Sequence, residues 1–255
     1  MFLLPRKSNK DIELLGAVRI SDSTFFAYKN QLGEVILKSA KEENLQKDVI
    51  QHMVDLNPRI KKLLRSLNIK PTIDTKTLKE LAGGHMNDTC RIAMGIYSLL
   101  SEKLKQQINA TKIKEASMLH DLGKVLIPSK ILHKPAKLTK RERKIMNIHS
   151  TLGYELLKTQ NIDEETLTLI KYHHQNLTHS GYPILIESHK PSDIEVQIIS
   201  TADKYSALRE ARVYRRRLSR SESLLILYKE VREGKIHKDV YDALVEYAGN
   251  YDLAS

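Results

Sequence analysis

Apolar residues in this chain recur mostly at helical spacing, and one early segment breaks the pattern. Between residues 18 and 38, Phe25-Phe26-Ala27-Tyr28 and Val35-Ile36-Leu37 flank Asn30-Gln31-Leu32-Gly33. Short apolar runs around a glycine-bearing turn predict a β-hairpin. From Glu42 to Leu56, the positions Leu45, Val49, Met53 and Leu56 share one helical face. Asn57-Pro58 breaks that helix, a second short one runs to Leu67, and Asn68 to Asp74 reads as a connection containing Pro71. The boundary falls there. Residues 1–72 read as a small N-terminal accessory module that packs on the rest or makes a dimer contact, and 73–255 as a helical domain.

From Thr75 onward the apolar period is almost entirely helical. It predicts helices over 75–82, 86–107, 111–122, 139–159, 163–173, 193–208, 219–232 and 237–248. Gly123 and Pro128 end the third, and Thr139 with Glu142 resembles a capping box opening the fourth. Helices joined by short links predict an irregular bundle, a common host for metal sites built from facing helices. The fold class is therefore mainly α, with a small N-terminal α+β appendage containing the hairpin.

Composition narrows this picture in a few respects. A length of 255 residues suits one large domain, or one with a small appendage. Tryptophan is absent and phenylalanine scarce, so the core must rest on Leu, Ile, Val and Ala. The net charge of +11 suits anionic partners such as nucleotides, nucleic acid or acidic proteins, or else a solvated basic surface. A single cysteine, Cys90, excludes an internal disulfide. The start, Met1 to Lys7, carries its charges after a very short apolar run, the reverse of a signal peptide. No stretch approaches a membrane span in length. These features predict a cytoplasmic protein.

Five of the ten histidines fall where helices begin or end: His85, His120, His149 and the pair His173-His174. Imidazole and carboxylate are the usual ligands of Mn, Fe or Zn. Adjacent ligands such as His120-Asp121 diverge by about 100° on a helix. They can serve two metals when a helix end points between them, and the same holds for His173-His174.

These segments resemble the HD superfamily of phosphohydrolases, and more narrowly its HD-GYP branch. The resemblance covers about Leu78 to Ala248 and runs through six motifs in order. They are His85 within Gly84 to Ala93, His120-Asp121-Leu122-Gly123-Lys124, His149-Ser150-Thr151-Leu152-Gly153, His173-His174, Gly181-Tyr182-Pro183, and Asp203 in Ala202-Asp203-Lys204-Tyr205. The resemblance implies that His85, His120, Asp121, His149, His173, His174 and Asp203 are metal ligands, with Asp121 bridging two ions. Two six-coordinate ions suit Fe or Mn better than tetrahedral zinc. It further implies that a bridging hydroxide attacks phosphorus in line. Lys124 would neutralise transition-state charge; the plainer reading of the residue is a helix C-terminal cation.

The implied substrate is cyclic di-GMP, opened to linear pGpG and cut on to GMP. Gly181 and Tyr182 would shape the entrance, although a plain turn with a packed tyrosine has the same sequence. Arg215 stands where the family places a phosphate contact, within a run of six arginines from Arg209 to Arg220. That run reads equally as a solvated face or a dock for an acidic partner, and its lack of aromatics beyond Tyr214 disfavours nucleic acid.

The sequence departs from the family at several points. Gln175 replaces the glutamate after the histidine pair, Thr178-His179 replaces Asp-Gly, Ser206 replaces the second acid of the closing motif, and Leu81 replaces a glutamate of trimetal members. Two metals, not three, are expected. The altered segment also leaves two other readings open: a phosphohydrolase for another nucleotide or cyclic dinucleotide, and a weakly active or inactive sensor or adaptor.

Overall fold

The computed structural model describes residues 12–20, 23–30, 35–39, 47, 50–51, 53–55, 57–70, 72–73, 76–77, 84–158, 160, 162–186, 191–211 and 216–251. Strands β1 (Ile12–Ile20), β2 (Ser23–Asn30) and β3 (Val35–Ser39) form an antiparallel sheet in the order β1-β2-β3. The β2–β3 register runs from Phe25↔Ser39 to Lys29↔Val35. The β1–β2 ladder shifts between Leu14 and Gly16. The turn at 31–34 lies outside the described residues.

The helices are α1 (Pro58–Ser66), α2 (His85–Leu99), α3 (Glu102–Lys105), α4 (Ala110–Leu119), α5 (Ser129–Leu132), α6 (Lys140–Asn147), α7 (His149–Leu157), α8 (Glu164–Tyr172), α9 (Asp193–Arg209), α10 (Arg220–Arg232) and α11 (Lys238–Tyr251). A 3₁₀ turn occupies Leu122–Leu126. Among the described residues no helix is long and apolar enough to cross a membrane.

Local chemistry explains most starts. Asn57 ends one helix and begins the next: its Oδ1 accepts from the N–H groups of Arg59 and Ile60, with Pro58 in the first turn. The same side chain donates through Nδ2 to the Glu155 carbonyl at 2.8 Å, tying α1 to α7. Thr139 and Glu142 make both bonds of the capping box expected there. Ile60 and Leu64 bury in the same apolar cluster as Ile92, Ile113, Leu152 and Leu169. Ile50, Met53, Val54, Ile60, Leu64 and Ile69 thus share a core with the helices beyond residue 84.

Three predicted helices are each shorter than expected. The one predicted over 86–107 stops at Leu99; Leu100 is extended, and Ser101 caps the separate turn α3 with its hydroxyl. The one predicted over 111–122 stops at Leu119 and passes into the 3₁₀ turn. The one predicted over 139–159 divides at Ile148 into α6 and α7. Of the helix predicted over 75–82, only 76–77 lie among the described residues.

Two of these interruptions carry candidate ligands, His120 and His149. Gly123 lets the 3₁₀ turn back against α7, because a side chain there would collide with the His149 carbonyl. Helix α2 packs on α4, α9 and α11, while α8 packs on α4 and α7. The start of α2, the ends of α4 and α8, the start of α7 and the middle of α9 therefore converge.

Candidate metal centre

The convergence brings all seven predicted ligand residues together in two sets of four. One set is His85, His120, Asp121 and Asp203; the other is Asp121, His149, His173 and His174. Within each set one ligand atom per residue lies within 4.8 Å of every other. Asp121 belongs to both. Its Oδ2 faces His120 Nε2 at 3.4 Å and His85 Nε2 at 3.7 Å, and its Oδ1 faces His149 Nε2 at 3.3 Å.

Helix ends orient the rings. The last carbonyls of a helix lack intrahelical donors. His120 Nδ1 meets the Ser117 carbonyl at 2.8 Å, His149 Nδ1 the Met146 carbonyl at 2.8 Å, and His173 Nδ1 the Ile170 carbonyl at 2.7 Å. A carbonyl only accepts, so each Nδ1 carries the proton and each Nε2 presents a lone pair in the neutral ring. The backbone thus aims three Nε2 atoms at one place.

That arrangement fits cations. His149 Nε2 lies 3.4 Å from His173 Nε2, which sets two bare lone pairs against each other, and 3.1 Å from His174 Nε2. His120 Nε2 and Asp121 Oδ1 are buried with no hydrogen-bond partner. Orphaned buried polar atoms are costly unless something else satisfies them. HD domain phosphohydrolases bind divalent metals, and these clusters could hold them.

Proton affinities divide along the same line. Burial alone would lower His85, but Asp203 and Glu210 outweigh it and push it up to about 10. His120, opposed by burial in the same way, is pushed up to about 9 by Asp121 and Asp203. Burial, then His120 and His149, push His173 down to about 3. Burial and His173 push His174 well below the usual imidazole range. Both carboxylates resist the upward push of burial: Lys124 and His120 hold Asp121 well below its usual range, and His120 and His85 do the same for Asp203.

The remaining predicted residues fall at the rim or outside the description. Lys124 Nζ donates to Asp121 Oδ2 at 2.5 Å. The Tyr182 ring lies 4.6 Å from His174 and 6.3 Å from His149, centroid to centroid. Burial, then Asp203 and Asp121, raise its hydroxyl above the ordinary phenol range. Gly181 backs directly on the His174 carbonyl and the Gln175 backbone, where any side chain would collide. Arg215, Tyr214 and Leu81 lie outside the described residues. His179 pairs with Asp193 at 3.3 Å.

Two residues have roles that sequence reasoning missed. Gln175 is buried, accepts from the Gly181 N–H at 3.1 Å and donates through Nε2 to the Pro183 carbonyl. The glutamine that replaces the family's glutamate thus clasps the Gly-Tyr-Pro loop. Glu210, just past the end of α9, places Oε1 2.8 Å from His85 Nδ1. The signal available was spacing: Asp203, Ser206 and Glu210 lie three and seven residues apart on one helical face.

The family model for the HD domain matches residues 42–240. The chain is 34% identical over 180 residues to the cyclic di-GMP phosphodiesterase response regulator RpfG of Xanthomonas campestris pv. campestris, covering 66% of this chain and 47% of that protein. It is 34% identical over 134 residues to 3'3'-cGAMP-specific phosphodiesterase 1 of Vibrio cholerae serotype O1, covering 52% and 31%. It is 34% identical over 111 residues to the cyclic di-GMP phosphodiesterase of Thermotoga maritima, covering 43% and 30%. The chain spans less than half the length of these curated relatives. Among solved structures, Bd1817, an HDG"Y"P protein from Bdellovibrio bacteriovorus, matches with a TM-score of 0.50 at 15% identity, over 85% of this chain and 65% of that one. That likeness bears on the fold, which is mainly helical. The chain belongs to the HD domain family, and its ordered motifs and relatives put it with the HD-GYP phosphohydrolases.

Proposed function

We propose that this chain is a metal-dependent phosphodiesterase that hydrolyses cyclic di-GMP to linear pGpG and on to GMP. The observation that carries the reading is the sharing of Asp121 between two four-residue ligand sets. His85, His120, Asp121 and Asp203 would hold one ion, and Asp121, His149, His173 and His174 the other, with Fe or Mn suited to two sites that leave positions open. Two such ions, when bound, lower the pKa of water and neutralise phosphoryl charge.

The chain's own residues orient and exclude. Carbonyl-locked rings hold His120, His149 and His173 so that no reorganisation is needed when charge develops. Lys124, bonded to Asp121, would keep a cation beside the carboxylate shared by both sets, where the transferring phosphoryl group would gain charge. Tyr182 keeps its hydroxyl proton and so faces a substrate as a donor and a flat ring. Arg215 is assigned to a substrate phosphate from its sequence position.

Division into a 1–72 module and a 73–255 catalytic domain, a cytoplasmic location and a homodimer or acidic partner complete the proposal, the last supported by the +11 charge. A second reading, hydrolysis of another cyclic dinucleotide, is favoured by the 34% identity to the 3'3'-cGAMP-specific relative. Anaerobic purification, metal counting and assays of both dinucleotides with Mn or Fe test these readings, with Asp121→Ala as control. Two bound metals and pGpG from cyclic di-GMP are expected. Preferential turnover of cyclic GMP-AMP would replace the substrate. Tight nucleotide binding without turnover under either metal would make the chain a sensor.

A further inference from the structure

Three site histidines anchor Nδ1 on the carbonyl three residues earlier, and His85 has no such anchor. His85 opens α2, where unpaired N–H groups rather than carbonyls are exposed. Its ring must find an acceptor elsewhere. Nδ1 lies 2.8 Å from Glu210 Oε1 and 3.3 Å from Ser206 Oγ, while Nε2 lies 2.9 Å from Asp203 Oδ1. Asp203 and Ser206 belong to α9, and Glu210 caps its end with an extended backbone. A serine hydroxyl at 206 brings no charge to the ring. Glu210 brings a carboxylate to the same nitrogen from one turn further along.

We propose that Glu210 is the positioning residue for His85, supplying the carboxylate that Ser206 lacks and thereby strengthening the ion site of His85, His120, Asp121 and Asp203. The inference rests on the metal-centre reading above. A carboxylate on Nδ1 fixes the tautomer that leaves the Nε2 lone pair toward an ion, and its charge makes the imidazole a better donor. The carbonyls behind His120, His149 and His173 orient without adding a full charge. Glu210 should therefore govern one ion of the two.

Mn(II) titration of the full chain by equilibrium dialysis, with bound metal counted directly, tests this in the wild type, Glu210→Ala, Glu210→Gln and the double variant Ser206→Asp/Glu210→Ala. The wild type is expected to take up two ions. Glu210→Ala should keep one and bind the other roughly 10–100-fold more weakly. Glu210→Gln should fall between, because an amide oxygen still accepts but carries no charge. Ser206→Asp should restore the weakened ion, since it presents a carboxylate to the same Nδ1 from the same face; a merely structural role for Glu210 would not be rescued this way. Two wild-type ions with both affinities unchanged in Glu210→Ala, or no rescue by Ser206→Asp, would overturn the proposal alone. A wild type that binds no metal would overturn the metal-centre reading beneath it.

Discussion

The two halves of the site use the same residue type under opposite electrical conditions. On one side His85 and His120 sit among Asp121, Asp203 and Glu210, and their pKa values rise to about 10 and about 9. On the other, His173 and His174 crowd against each other and His149, and His173 falls to about 3. Burial opposes the charged ring in both halves, so burial cannot be what separates them. Carboxylates nearby make the difference. One half attracts cations strongly but must release protons to take one. In the other, His173 and His174 resist protonation, and Asp121 is the one carboxylate of the set. Asp121 joins them.

The largest effect should follow from removing that junction. Asp121→Asn keeps the shape but removes the charge shared by both sets. Both ions should weaken together and activity should fall to background, measured by metal content and product formation. A variant that kept one ion at wild-type affinity would show that the halves do not share Asp121. Next come the complementary single losses. His120→Ala and His173→Ala should each leave one ion, from opposite halves, and each should reduce turnover by more than the roughly 100-fold that loss of an outer partner costs.

Those two variants also isolate the proton dependence of each half. His85 and His120, raised above 6.5, hold protons below about 10 and about 9, and an ion must displace them. Affinity in that half therefore rises with pH and is lost as pH falls, by roughly tenfold per unit for each proton displaced. His173, neutral above about 3, releases no proton at neutral pH. The ion left in His173→Ala should show a steep slope between pH 6 and 8, and the ion left in His120→Ala a shallow one. Equal slopes from metal titration would break the comparison.

How far this contrast was legible in the sequence depends on the reach of each residue. The ligands could be named because their types recur at helix ends in a fixed order, and the order survives folding. His120 and His149 lie next to the very breaks where helix periodicity continued too far, at Leu119 and Ile148. Apolar spacing does not register a break that a histidine ring stabilises by taking a carbonyl. Glu210 was hidden for another reason: it acts on His85, 125 residues away, and only the packing of α9 on α2 brings them together. Gln175 was named as a substitution, but its partners were hidden, because its sequence neighbours are ligands while its bonds run to Gly181 and Pro183.

Gln175 gives the smallest expected effect and the finest test of the division. Its two bonds hold the loop whose Tyr182 covers His149 and His174, on the histidine-rich side only. A neutral hydrogen bond contributes roughly 0.5–1.5 kcal/mol, so Gln175→Ala should raise KM on the order of tenfold through a displaced loop. Gln175→Glu keeps an acceptor for Gly181 but turns a buried donor into a charge facing the Pro183 carbonyl, and should raise KM no less. Neither should alter the metal count, because the Gln175 side chain bonds to the loop. Steady-state kinetics and Mn titration of both variants separate the two roles. If Gln175→Glu instead tightened the histidine-side ion and left KM alone, residue 175 would act as an outer metal partner. The histidine-rich half would then owe its weaker pull on cations to that one missing carboxylate.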